Sequence, residues 1–209
     1  MATSQNPLTG KMSGTVGNVV LSSTNGQNVV RSKAFNQKDA NSVAQQKHRD
    51  VFKKTSDEYT SLSSYIADGF PSRPQSQSCY NAFMAANLSN AVDKSGEFPV
   101  FDYSKMILSK GSLQPVEVLE ATIAQDGIQV NYQPLSENGG AKADDVVIAI
   151  LKTVEGRVLS VKKPRGQSEE DSIFVQLSNA SAERIMYMYM MVVSADKTKA
   201  SKSVYVSIA

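Results

Sequence analysis

The chain has no tryptophan, one cysteine (Cys79) and one histidine (His48) in 209 residues. A lone cysteine excludes an intrachain disulfide, and one cysteine with one histidine excludes a Cys/His zinc site within a single chain. Histidine base catalysis has only His48 to draw on. It sits between Lys47 and Arg49 on the apolar side of a helical pattern, without an orienting carboxylate, and reads as a core-edge side chain. No apolar run approaches the ~18 residues that span a bilayer, and the opening MATSQNPLTGKMSG has no apolar signal core. The expectation is a soluble protein made in the cytoplasm, able to end up inside a larger particle.

Charge is sparse overall and uneven along the chain. The net charge is +2, yet Lys11, Arg31, Lys33, Lys38, Lys47, Arg49, Lys53 and Lys54 face only Asp39 and Asp50 before residue 55. That basic quarter suits a solvated helix face, nucleic acid, or the acidic part of a neighbouring copy.

Residues 1–14 are polar, with Pro7, Gly10 and Gly14, and read as a flexible arm that orders on a partner. The strongest local signal follows: Val19 to Thr24, then Asn25-Gly26, then Gln27 to Ser32. Asn-Gly favours a type I′ turn, because both central residues need positive φ. That turn sets Thr24 opposite Gln27, Ser22 opposite Val29 and Leu21 opposite Val30. Valines then lie on both faces, and an isolated hairpin is marginal in water. Val19, Leu21, Val29 and Val30 are therefore expected to be assembly contacts, with Arg31, Lys33, Lys47, Arg49, Lys53 and Lys54 as the basic patch beside them.

From Ala44 the apolar period lengthens to three or four. Asp39 or Asn41 can cap a helix carrying Ala44, His48, Val51, Phe52, Tyr59, Leu62, Tyr65 and Ile66, which Gly69 and Pro71 terminate. A second stripe, Tyr80, Phe83, Met84, Leu88, Ala91 and Val92, runs to Gly96. The two predict an antiparallel helical hairpin. Residues 98–112 read as an extended linker.

Beyond about residue 113 the period falls to two, with strand candidates near 115–124, 128–133, 145–153, 157–162, 173–177, 184–195 and 199–208. Turn signals at Asp126-Gly127, Asn138-Gly139-Gly140, Glu155-Gly156 and Asp196-Lys197 separate several of them. The segment Ile185–Val193 is the expected central strand, with Met and Tyr on opposite faces. The predicted class is α+β: a β-hairpin and an antiparallel helical hairpin, then a seven-stranded immunoglobulin or fibronectin III-like sandwich. The corresponding division is 1–14 arm, 15–97 assembly domain, 98–112 linker and 113–209 sandwich.

Sites of chemistry are thin. Cys79 beside Tyr80 has no base partner and reads as a packed thiol. Gly10-Lys11-Met12-Ser13-Gly14 lacks the order of a phosphate loop. Glu169-Glu170-Asp171 and Asp144-Asp145 lack calcium-loop spacing and read as solvated turns. No catalytic residue, metal or cofactor is expected, and the chain is not read as an enzyme.

The stretch from Ser13 to Val20, then Val29-Val30-Arg31-Ser32, then Val43-Ala44-Gln45-Gln46 with Arg49 and Phe52, resembles an uncharacterised family found mostly in Bacteroidetes and their phages. Ile107 to Leu113 and Lys142-Ala143-Asp144-Asp145 are similar to that family's linker and mid-sandwich patterns. The resemblance implies a hairpin and helices before a sandwich, and a phage or prophage setting. With the sequence reading, it yields the expectation of a non-enzymatic structural protein of a tailed-phage virion, in the neck, ring or tail. Its expected partners are further copies in a ring-like homo-oligomer and other virion proteins, with nucleic acid near the basic quarter. The alternatives are a sandwich that binds a cell-surface protein or glycan, and a basic nucleic-acid-contacting protein.

Overall fold

The computed structural model describes residues 2–4, 10–24, 26–35, 39–74, 76–93, 95–96, 98–133, 140–166, 171–178 and 184–208. The chain forms two compact units, Met1–Ser42 and Val43–Ala209.

In the first unit β3 (Val19–Thr24) and β4 (Gln27–Ser32) make the expected hairpin, with Thr24 opposite Gln27, Ser22 opposite Val29 and Leu21 opposite Val30. Asn25 lies outside the described residues, and Gly26 has φ +78, the left-handed conformation that a tight turn demands. The hairpin is not isolated: β1 (Ala2–Ser4) pairs with β4 and β2 (Gly14–Val16) with β3, giving a sheet ordered β1-β4-β3-β2. The expected arm therefore supplies an edge strand, because β4 leaves one row of backbone groups open to pairing.

The second unit starts at α1 (Val43–Gly69), which ends at Gly69 as its stop signals require. Its buried residues Val51, Thr55, Glu58, Leu62, Ile66 and Gly69 fall on one stripe. Gly69 is required there, since a Cβ would lie 2.5 Å from the Leu108 carbonyl oxygen. Ala44, His48 and Phe52 are exposed, so the expectation of a core-edge histidine does not hold. The stripe shifts because Lys152 and Tyr187 offer polar partners to Glu58 in the interior, while Thr55 satisfies its hydroxyl on the Val51 carbonyl of its own helix.

Ser78 caps α2 (Cys79–Asn87) by accepting from Asn81 N. The helix packs on the middle of α1, where Tyr59 meets both Tyr80 and Phe83. It stops well short of Gly96. Val92–Asp93 (β5) instead pairs with Val100–Phe101 (β6) in a short ribbon. Residues 98–112 are not a free linker: Met106 and Leu108 are 2% and 1% exposed, within the core. Lys110 N donates to the Gly69 carbonyl at 2.9 Å.

Among the described residues the strands that follow are β7 (Glu117–Ala124), β8 (Gly127–Gln133), β9 (Val146–Thr153), β10 (Val158–Pro164), β11 (Asp171–Gln176), β12 (Ile185–Val193) and β13 (Val204–Tyr205). They form two antiparallel sheets, ordered β10-β9-β12-β13 and β11-β8-β7. The α+β class and its antiparallel sheets agree with the sequence reading.

Strand β12 divides its faces as its alternation requires. Met188, Met190 and Val192 enter one core with Val147, Val130 and Val175. Tyr187, Tyr189 and Met191 enter the other with Ile148, Leu62, Ile66 and Phe83. Thus α1 and α2 cover the outer face of the β10-β9-β12-β13 sheet, and the second unit has three layers. This is why the chain divides at Ser42 and not after the helices: the helical stripe finds its apolar partner in the sandwich.

Candidate assembly surfaces

In the first unit no apolar side chain is buried among the described residues. Strand period and register place Val16, Val19, Leu21 and Val30 on one face, Val20 and Val29 on the other. Val16 is 68% and Val19 37% exposed, while Leu21, Val29 and Val30 are half-buried. The first face has no charged side chain on β2, β3 or β4, whereas Arg31 joins the second. Phe35, 60% exposed, adds an aromatic ring with Lys33 Nζ 6.0 Å from its centroid. The one buried side chain is polar: Asn28 donates to the Gly10 carbonyl at 2.6 Å and accepts from Met12 N at 3.2 Å. Those bonds tie residues 10–12 to β4. The sequence reading named Val19, Leu21, Val29 and Val30, which the register divides between the two faces, and did not name Val20 or Val16, the latter on a strand hidden in a Gly-dotted segment.

The basic patch separates by role. Arg31 and Lys33 are exposed on the first unit, and Arg49 and Lys53 on α1. Lys47 and Lys54 are engaged: Lys47 Nζ donates to the Gly96 carbonyl at 2.9 Å, and Lys54 Nζ to the Pro99 carbonyl at 2.7 Å. The two lysines stand two turns apart and hold a loop that displays Phe98, 72% exposed. Lys38 lies outside the described residues.

The groups weighed for chemistry are dispersed. Cys79 is half-buried and free. Asp145 is buried, accepting from Lys142 N. Asp171 is paired with Lys163; burial favours its neutral form, but the Lys163 and Ser172 donors outweigh that and hold its carboxyl below the usual range. Glu169 and Glu170 lie outside the described residues. Among the described residues no three of His, Cys, Asp and Glu are placed to share a metal ion.

A buried polar cluster lies between α1 and the sheet. Glu58 Oε2 accepts from Lys152 Nζ at 2.7 Å and from Tyr187 Oη at 2.8 Å. Lys152 also donates to Ser61 Oγ at 3.2 Å. Burial, then the Glu58 carboxylate, pushes the Tyr187 phenol far above its ordinary value, so it remains a donor. Every partner in the cluster is used within the chain, which makes it a fastening between layers.

A surface cleft of about 530 Å³ lies between the α1–α2 connection, α2 and residues 110–112. An open groove of about 640 Å³ runs beside β7 and β13. Among the described residues no helix is long and apolar enough to cross a membrane.

A family model described as "Family of unknown function (DUF6266)" matches residues 11–207. No curated protein and no solved structure matches the chain.

Proposed function

This chain belongs to the DUF6266 family of unknown function, and we propose that it is a non-enzymatic structural protein that assembles with further copies through its N-terminal sheet. The carrying observation is that among the described residues the sheet buries no apolar side chain, while β2, β3 and β4 place Val16, Val19, Leu21 and Val30 on a face to which they contribute no charged side chain. A sheet whose apolar side chains stay half-buried or exposed forfeits much of the hydrophobic term that stabilises strands, and a partner surface restores it. The setting is a tailed-phage virion, as a neck, ring or tail component, which the resemblance to phage-associated proteins implies. We read the sandwich as fibronectin III-like, a reading supported by the division of its described strands, the first, second and fifth in one sheet and the fourth, third, sixth and seventh in the other. That fold is widely used for display and lateral packing, which suits a particle component.

The test is the native mass of the full-length chain by light scattering, beside Leu21→Asp. A discrete oligomer that falls to a smaller species in the variant, with the melting of the larger unit unchanged, is expected. An unchanged mass overturns assembly through this face. A second reading, the sandwich unit as a binding module, draws on Phe98, an aromatic ring displayed on a loop held by two lysines. It predicts that Phe98→Ser abolishes binding to whole cells without altering native mass.

A further inference from the structure

Two surfaces of the 43–209 unit are complementary. The first is the cleft of about 530 Å³, whose floor is apolar and small: Phe70, Pro74, Ala82, Ala85 and Ala86. Its charged lining is Arg73 and Lys110, with no carboxylate. Arg73 Nη1 donates to the Phe70 carbonyl at 2.8 Å, and among the described residues the rest of its fork has no partner. The Lys110 ammonium has no partner among the described residues. Volume, apolar floor and convergent cations fit an apolar group flanked by carboxylates.

The second surface carries that pattern. The register of β7 against β8 shifts between Val118 and Glu120, leaving Leu119 as the extra residue of a β-bulge. A bulge re-aims its side chain, and Leu119 is 48% exposed at the sheet edge. Glu117 and Glu120 flank it, both exposed, neither paired with a cation among the described residues. Among the described residues they are the only charged ones lining the β7–β13 groove. Carboxylates alone would keep an edge strand from pairing. They do not explain a leucine turned outward between them.

We propose that Leu119, with Glu117 and Glu120, docks into the Arg73–Lys110 cleft of a second copy. Leu119 packs on Ala85, Ala86 and Phe70, and the two carboxylates meet the guanidinium and the ammonium. Because the two surfaces differ, the contact joins one copy's edge strand to its neighbour's helical end, and such contacts repeat into rings or close in reciprocal pairs. The contact rests on the reading that the chain self-assembles, but uses residues remote in sequence from the N-terminal sheet.

The experiment is sedimentation velocity on full-length chains. Chain X carries Arg73→Glu with Lys110→Glu; chain Y carries Glu117→Lys with Glu120→Lys. Lys110, Glu117 and Glu120 are exposed and Arg73 is half-buried, and matching melting curves confirm intact folding. Each variant alone is expected to dissociate at least tenfold more readily than the original chain. An equimolar mixture of X and Y is expected to recover the original species, since each X–Y contact again joins opposite charges. Added salt should weaken this contact and spare one made by the uncharged face of the N-terminal sheet. Variants with the original mass overturn the proposal and leave the bulge as edge protection only; so does a mixture that fails to recover. Leu21→Asp separates the two readings, because it alters the N-terminal face and leaves both complementary surfaces intact.

Discussion

Lys152 of β9 and Glu58 of α1 meet at 2.7 Å in the layer between helix and sheet, their side chains 9% and 10% exposed. Around them the interface is apolar, built from Leu62, Ile66, Ile148 and Ile150. A buried pair of this kind contributes little net stability over an apolar replacement, yet it fixes which helical residues lie over which strand.

Removing one partner should therefore cost far more than removing both. Glu58→Leu leaves the Lys152 cation buried and takes the acceptor from Tyr187, and should lower stability by about 3–5 kcal/mol. Glu58→Leu with Lys152→Met should recover most of that loss. Urea unfolding of the two variants against the original chain gives the comparison, and equal losses would rule out the coupling.

Alkaline conditions should loosen the same layer. Burial and the Glu58 carboxylate raise the Tyr187 phenol in the folded state, and burial raises Tyr189. Unfolded tyrosine titrates near pH 10, so above that value the unfolded chain loses protons that the folded chain keeps. The contribution of these two tyrosines should be constant below about pH 10 and fall as pH rises beyond it. Melting temperatures taken across that range, with Tyr187→Phe showing a shallower decline, test the assignment.

Gly111 and Gly96 should respond oppositely to alanine. A Cβ on Gly111 would lie 2.1 Å from the Ala200 carbonyl oxygen, whereas on Gly96 its nearest neighbour is 3.5 Å away. Gly111→Ala must displace backbone and should cost about 1–3 kcal/mol. Gly96→Ala should change the melting temperature little.

Asn28 is the fastening of the small N-terminal sheet. Asn28→Ala leaves the Gly10 carbonyl and Met12 N–H without their partner. A loss of about 1–3 kcal/mol is expected, local to this unit. Hydrogen exchange should quicken in residues 10–32 and stay unchanged in the strands of the sandwich.

Local signals carried far in this chain. The Asn-Gly pair fixed the hairpin register residue by residue, because a two-residue loop allows one pairing of the strands it joins. Alternation in Ile185–Val193 sorted Tyr187 and Tyr189 from Met188 and Met190 onto opposite faces, since a strand has no other way to place successive side chains. Gly69 ended α1 where its lack of a side chain lets the Leu108 backbone approach.

What surrounds an element is a matter of other elements, and there the tertiary structure decided. The α1 stripe alone selected Phe52 and His48 for burial, but Lys152 and Tyr187, more than ninety residues away, drew Glu58 inward instead. Residues 98–112 show too little periodicity to announce a core segment; Met106 and Leu108 became one because the helices and the sheet close over them. Lys47 and Lys54 looked like free charges until the loop at Gly96 and Pro99 supplied carbonyls. Leu119 looked like any strand residue until the partner strand slipped past it. Periodicity and turn chemistry are properties of neighbours in sequence, so the sequence by itself determined the elements and their faces. Burial, pairing and display depend on groups brought together only by the whole fold.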